Sequence, residues 1–170
     1  MKKIIALMIV AMLPFMALAQ SKAVSAFIDK WSGHEDATYV VVKGSLFNLV
    51  ASIAKYDDGD EPDEDLQAFG RIADGINSMT VVSLPYYETD ISRDEIKALR
   101  ASLVKENYEE FVTVKEGKEL VNVLAQGADD EIRNMLVLVE EKSEFTLISI
   151  DGKLSMKDLS YLSKHHGDFH

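Results

Sequence analysis

Between Tyr108 and Gly152 the apolar positions fall into four short runs separated by polar turns. Val112 and Val114 alternate with Thr113 and Lys115, and Glu116-Gly117 then supplies a turn with a residue free to take positive φ. Val121, Val123 and Ala125 alternate with Asn122 and Leu124 before Gln126-Gly127 closes the run. From Ile132 the pattern tightens into Met135-Leu136-Val137-Leu138-Val139. An unbroken apolar run of this kind suits a strand covered on both faces. It is too short between its turns for a buried helix, and β-formers flank it. Glu140 to Ser143 makes the next turn, and Phe145 to Ile150 forms a fourth strand ending at Asp151-Gly152. The pattern predicts four consecutive strands followed by a short helix.

Upstream the period changes. Val24, Phe27, Ile28 and Trp31 share one helical face, which predicts a helix over 21–31 with Gly33 as its C-cap. Tyr39 to Val42 reads as a strand. Gly44-Ser45 ends it, and Ser45 is positioned to cap a helix carrying Leu46, Phe47, Leu49, Val50, Ile53 and Ala54. A further helix holds Leu66, Phe69, Ile72 and Ala73, and Met79 to Leu84 is a strand closed by Pro85. Ser92 with Glu95 forms a capping box for a helix burying Ile96, Leu99, Leu103 and Val104. Ser155 and Asp158 repeat the device for a last helix, with Met156, Leu159 and Leu162 facing inward. Helices and strands are partly segregated rather than strictly alternating. The expected class is α+β, with a single mixed, mainly antiparallel sheet, a C-terminal four-strand meander and helices packed mainly on one face.

The first residues add a destination. Met1-Lys2-Lys3 is followed by the apolar stretch Ile4–Phe15 and by Ala17-Leu18-Ala19, the pattern of a cleaved secretory signal peptide over 1–19. The stretch is shorter than the ~20 apolar residues needed to span a bilayer. The expected organisation is that leader, one domain over 20–163, and a His-rich tail over 164–170. The chain holds no cysteine, so an exported form has neither a disulfide nor a cysteine on which to carry a lipid anchor. A periplasmic or secreted protein is expected, with no stable membrane span. The formal net charge is −11, and losing Lys2 and Lys3 makes it more negative still. Such an excess opposes nucleic acid and anionic lipid headgroups, which bind through positive charge.

Several pieces of the chain together resemble an uncharacterised family of exported proteins, the domain-of-unknown-function family numbered 4252. These are the leader, the Phe27–Trp31 helix and the strand–helix junction from Tyr39 to Leu49. The segments Tyr108–Gly117 and Leu147-Ile148-Ser149-Ile150-Asp151-Gly152-Lys153-Leu154 complete the set. The resemblance implies no activity, cofactor or catalytic residue. Proteins of this kind are often lipid-anchored in the cell envelope, and the lack of cysteine departs from that version.

Candidate chemistry is sparse. Seven of the nine residues from Asp57 to Asp65 are acidic, and Asp57, Asp58 and Asp60 offer oxygens to calcium. The spacing is not that of an EF-hand, and a solvated loop is the plain alternative. His165, His166, Asp168 and His170 are metal-ligand types, although a chain end lacks the fixed geometry that zinc or copper needs. No nucleophile elbow, phosphate cradle or dinucleotide fingerprint is present, and no pair of acids distinguishes itself for hydrolysis. Ser102-Leu103-Val104-Lys105 matches Ser-x-x-Lys without its companion motifs. Tyr86 and Tyr87 follow a strand directly and are candidates for partner binding, against simple aromatic packing. The reading is an exported, non-enzymatic module for an envelope protein or small ligand, without a cofactor. Its alternatives are a carboxylate-dependent hydrolase and a metal-buffering protein using the tail and acidic loop.

Overall fold

The computed structural model describes residues 21–55, 64–128 and 130–165. The elements run α1 (Lys22–Trp31), β1 (Thr38–Lys43), α2 (Gly44–Lys55), α3 (Glu64–Asp74), β2 (Ile76–Pro85) and α4 (Arg93–Lys105). They continue with β3 (Glu109–Glu116), β4 (Glu119–Ala128), β5 (Glu131–Glu140), β6 (Glu144–Ser155) and α5 (Met156–His165). The strands form one sheet in the order β1-β2-β6-β5-β4-β3. The expected α+β class and the C-terminal meander are both present, and every pairing is antiparallel. Successive strand residues point to opposite faces, so the register sorts the sheet into two surfaces.

On the first face Leu84 pairs with Phe145, and Leu147 stands between Val82 and Leu138. These five residues and Leu136 are 0% exposed. Helices α1 and α4 supply the cover. Ser21 caps α1 by accepting from the Val24 amide at 3.1 Å, and the helix presents Val24, Phe27, Ile28 and Trp31 to the core. The Phe27 ring meets Phe145 edge-on at 5.8 Å. The Ser92–Glu95 capping box holds α4, which buries Ile96, Leu99 and Leu103. Each such side chain stabilises the fold by about 1.5–3 kcal/mol relative to exposure, so this layer is the main core. Val104 does not join it: at 66% exposed it lies off the buried stripe. Tyr108 closes the core, and burial pushes its phenol up to about 12.

A second cluster forms around Ala125, Ile132 and Leu154, with Ile72 of α3 and Met156 and Leu159 of α5 packed against it. Leu154 shares its side of β6 with Ile148 and Ile150, so these helices rest on one end of the opposite face. Arg71 donates to Asp158 from Nε at 2.9 Å and Nη2 at 2.7 Å, tying α3 to α5. Asp158 also receives the expected cap, its amide donating to Ser155 Oγ at 3.3 Å. The helices thus cover the middle of one face and an end of the other, while Tyr39 and Val41 at the β1 edge of the first face stay exposed.

Other local expectations change too: Ser45 is the second residue of α2 rather than its cap. Asp151-Gly152 lies inside β6, which runs to Ser155 because it pairs with β2 and β5 on either side. Gly152 is there for space: a Cβ would stand 2.3 Å from the Gly75 carbonyl oxygen. Likewise β4 continues through Gln126-Gly127 to Ala128. The helix cap is Ser32, whose amide donates to Ile28 O at 2.8 Å in a right-handed conformation, and Gly33 lies in the turn beyond. Gly117 does take positive φ, at 58°.

Candidate functional site

The apolar run in β5 implies cover on both sides, and the described fold supplies it on one. Leu136 and Leu138 point to α1 and α4 and are fully buried, while their neighbours Val137 and Val139 remain partly exposed. The same inversion runs outward through the meander. In β4, Asn122 and Leu124 face the helices and Val121 and Val123 face away. In β3, Thr113 pairs with Asn122 on the helix side, leaving Val112 and Val114 opposite Val123 and Val121 on the other. Asn122 tolerates its buried place by donating to Thr113 Oγ1 at 2.7 Å and Glu110 Oε2 at 2.9 Å.

Cross-strand register joins these side chains into one surface. Val114, Val121 and Val139 form one row, and Val112, Val123, Val137, Ile148, Val81 and Val40 form the next. Ile150, Met79 and Val42 extend the surface towards the end carrying α3 and α5. The edge valines Val40, Val112 and Val114 are 46%, 47% and 52% exposed. No charged side chain interrupts these rows. The edge valines are exposed and the central members of the rows partly exposed, an extended aliphatic surface rather than isolated apolar residues.

The open face has two unlike borders. At one end lie the helices, where α2 packs on α3 and leaves Leu46, Leu49 and Ile53 exposed, with Phe69 exposed on α3. At the other end the alternation continues from Val114 to Glu116, from Val121 to Glu119 and from Thr146 to Glu144. Three carboxylates therefore follow the valines at the hairpin end. Glu144 Oε2 accepts from Ser83 Oγ at 2.9 Å. Lys118 and Lys142 occupy the adjoining turns.

The aromatic candidates separate. The Tyr86 amide donates to Ser143 O at 2.9 Å, placing this loop at the hairpin end. Its ring packs against the core, with the Arg93 guanidinium 5.6 Å from the ring centre. Burial, then Glu140, raises the phenol above its ordinary value, against Arg93 and Arg100. Tyr87 is 88% exposed. Beside this loop a cavity of about 500 Å³ is lined by Arg93, Lys115, Lys118, Glu119 and Glu140, a mixture of both charges.

Asp158 and Glu140, both largely buried, are each held by an arginine, Glu140 by Arg100 at 2.5 Å. The Arg71 hydrogen bond holds the Asp158 carboxyl below its ordinary value. Ser102 sits on α4 with its hydroxyl donating to Ala98 O at 3.0 Å, far from any arrangement of nucleophile and base. His34 Nδ1 accepts from the Asp36 amide at 3.3 Å and lies near Trp31. Among the described residues no group of three or more His, Asp or Glu is arranged to hold a metal. Asp57, Asp58, Asp60, His166, Asp168 and His170 lie outside the described residues, and His165 is the last residue of α5.

A six-stranded antiparallel sheet with α1 and α4 over the middle of one face and α3 and α5 at an end of the other defines an α+β protein. The chain belongs to the family described as domain of unknown function DUF4252, whose model matches residues 31–162. That match takes in every strand and begins at Trp31, so most of α1 lies before it. No curated protein and no solved structure matches the chain. Among the described residues no helix is long and apolar enough to cross a membrane.

Proposed function

We propose that this is an exported, non-enzymatic binding module of the cell envelope that holds another protein against its open sheet face. The single observation that carries the reading is the aliphatic surface from Val114 across Val137 to Val40. Leaving it in water forgoes the burial that the same strands achieve through their other side chains. Export rests on the leader pattern over residues 1–19, and the non-enzymatic role on the lack of any assembled nucleophile, base or metal set among the described residues.

The test is capture from envelope extract by the tagged chain. Wild type and Val104→Glu, whose change lies off the face, should retain the same partner, while Val137→Glu should lose it. Equal capture by all three would remove the face from the function. Turnover of a glycan or peptide library by purified protein would replace the binding role with a hydrolytic one.

A further inference from the structure

We infer that the occupant of the open face is a basic amphipathic helix of another protein, an inference that rests on the binding role proposed above. The face asks for an apolar surface, and two features narrow its shape and charge. The first is the precedent inside the molecule. The four central strands β2, β6, β5 and β4 take helices on their opposite side, where α1 lays Val24, Phe27, Ile28 and Trp31 onto the sheet as an i, i+3, i+4, i+7 stripe. Helices also close the far end of the open face itself. A helix about 10 Å across fits the remaining width, because six strands spaced roughly 4.8 Å apart span about 24 Å.

The second feature is charge. Glu116 and Glu119 continue valine columns at the open end and Glu144 continues the column of Ile148 and Thr146, in a chain of formal net charge −11. Lys118 and Lys142 of the adjoining turns offset two of these three charges, and Glu119 shares its cavity with Arg93, Lys115 and Lys118, so the border keeps a small acidic excess. A helix with a Leu or Val stripe flanked by Lys or Arg satisfies both the floor and the border. A second copy of this chain fits less well. It brings the same acidic border and the same net charge to the contact. The open part of the sheet offers on the order of 400 Å² in projection, from roughly 24 Å by 17 Å of strand surface. A stable dimer commonly uses about 800 Å² per partner.

The probe is a fluorescent 18-residue helical Leu/Lys peptide, titrated by anisotropy into the purified full-length mature chain. A Glu/Leu peptide of the same pattern and a Ser/Lys peptide of the same charge serve as comparisons. The Leu/Lys peptide should bind, and both comparisons should bind at least ten times more weakly. Val137→Glu and Val112→Glu should each weaken binding more than tenfold. Val112 is exposed and Val137 partly exposed in the free chain, so each variant should keep the wild-type circular dichroism spectrum at the temperature of the titration. Val104→Glu should bind as wild type. The combined change Glu116→Gln, Glu119→Gln and Glu144→Gln should weaken binding about tenfold and flatten its salt dependence, as loss of three exposed charge contacts predicts.

Equal binding of the Glu/Leu or Ser/Lys peptide would overturn the proposal, as would indifference to the valine changes. Light scattering that finds a dimer dissociated by Val137→Glu would assign the face to a second copy instead. If no peptide binds but Val137→Glu still abolishes capture from extract, the helix falls and the binding role stands. If capture is also unchanged, both fall.

Discussion

Asp158 shows how much a single side chain can carry. It is buried at the seam between α3 and α5 and accepts two hydrogen bonds from the half-exposed Arg71. Its carboxyl is lowered on folding, first by that hydrogen bond, while burial opposes the shift. A group lowered in this way stabilises the fold above its unfolded pKa and loses that contribution as pH falls through the folded value. Stability should therefore drop as acid is added below about pH 4, and Asp158→Asn should flatten that part of the profile. At pH 7 the same substitution should cost about 1–3 kcal/mol in urea unfolding, because Arg71 loses a charged acceptor. Gly152 is constrained by space rather than charge. Gly152→Ala should cost about 2–3 kcal/mol, since the Cβ meets the Gly75 backbone and a strand must move. A melting temperature equal to wild type would contradict that contact.

At the scale of elements, β5 states the problem of the whole sheet. Its run of five apolar residues correctly announced a strand, and its implication of two covered faces was met on one side only. Leu138→Ala should cost about 2–5 kcal/mol, as expected for a fully buried side chain. Val137→Ala, one residue away but on the open face, should cost less than about 1 kcal/mol in the free chain. Comparable losses in denaturant melts would mean that the second face is covered too. The capping residues were legible because their signals are local: Ser92 and Glu95 lie three residues apart and bond reciprocally. The extent of β6 was not, because Asp151-Gly152 reads as a turn until β2 and β5 are seen pairing with it.

For the molecule as a whole, the expectation that matters most is export. Protein recovered from the envelope or medium should begin at Gln20 by N-terminal sequencing, and a start at Met1 would refute the leader. The acidic segment around Asp57, Asp58 and Asp60 leads to a second expectation. Millimolar calcium should leave the melting temperature unchanged, and a rise of several degrees would identify a site there. The candidate surface itself was only half legible. Val112 and Val114 alternate with Thr113 and Lys115, which identifies an apolar side in β3. Nothing within that strand says which side the helices cover.

Local order determined the elements. Period-two alternation, helical spacing, capping pairs and turn residues act over a few positions, and so the class and the C-terminal meander could be read before any coordinates. Which face each strand presents to α1 and α4 depends on register, and register is set between residues far apart in the chain. Phe145 against Leu84, and Asn122 against Thr113, are contacts of that kind. Only their assembly revealed that the leucines were already covered while the valines still face outward, because covering a sheet is a property of layers and not of any one strand.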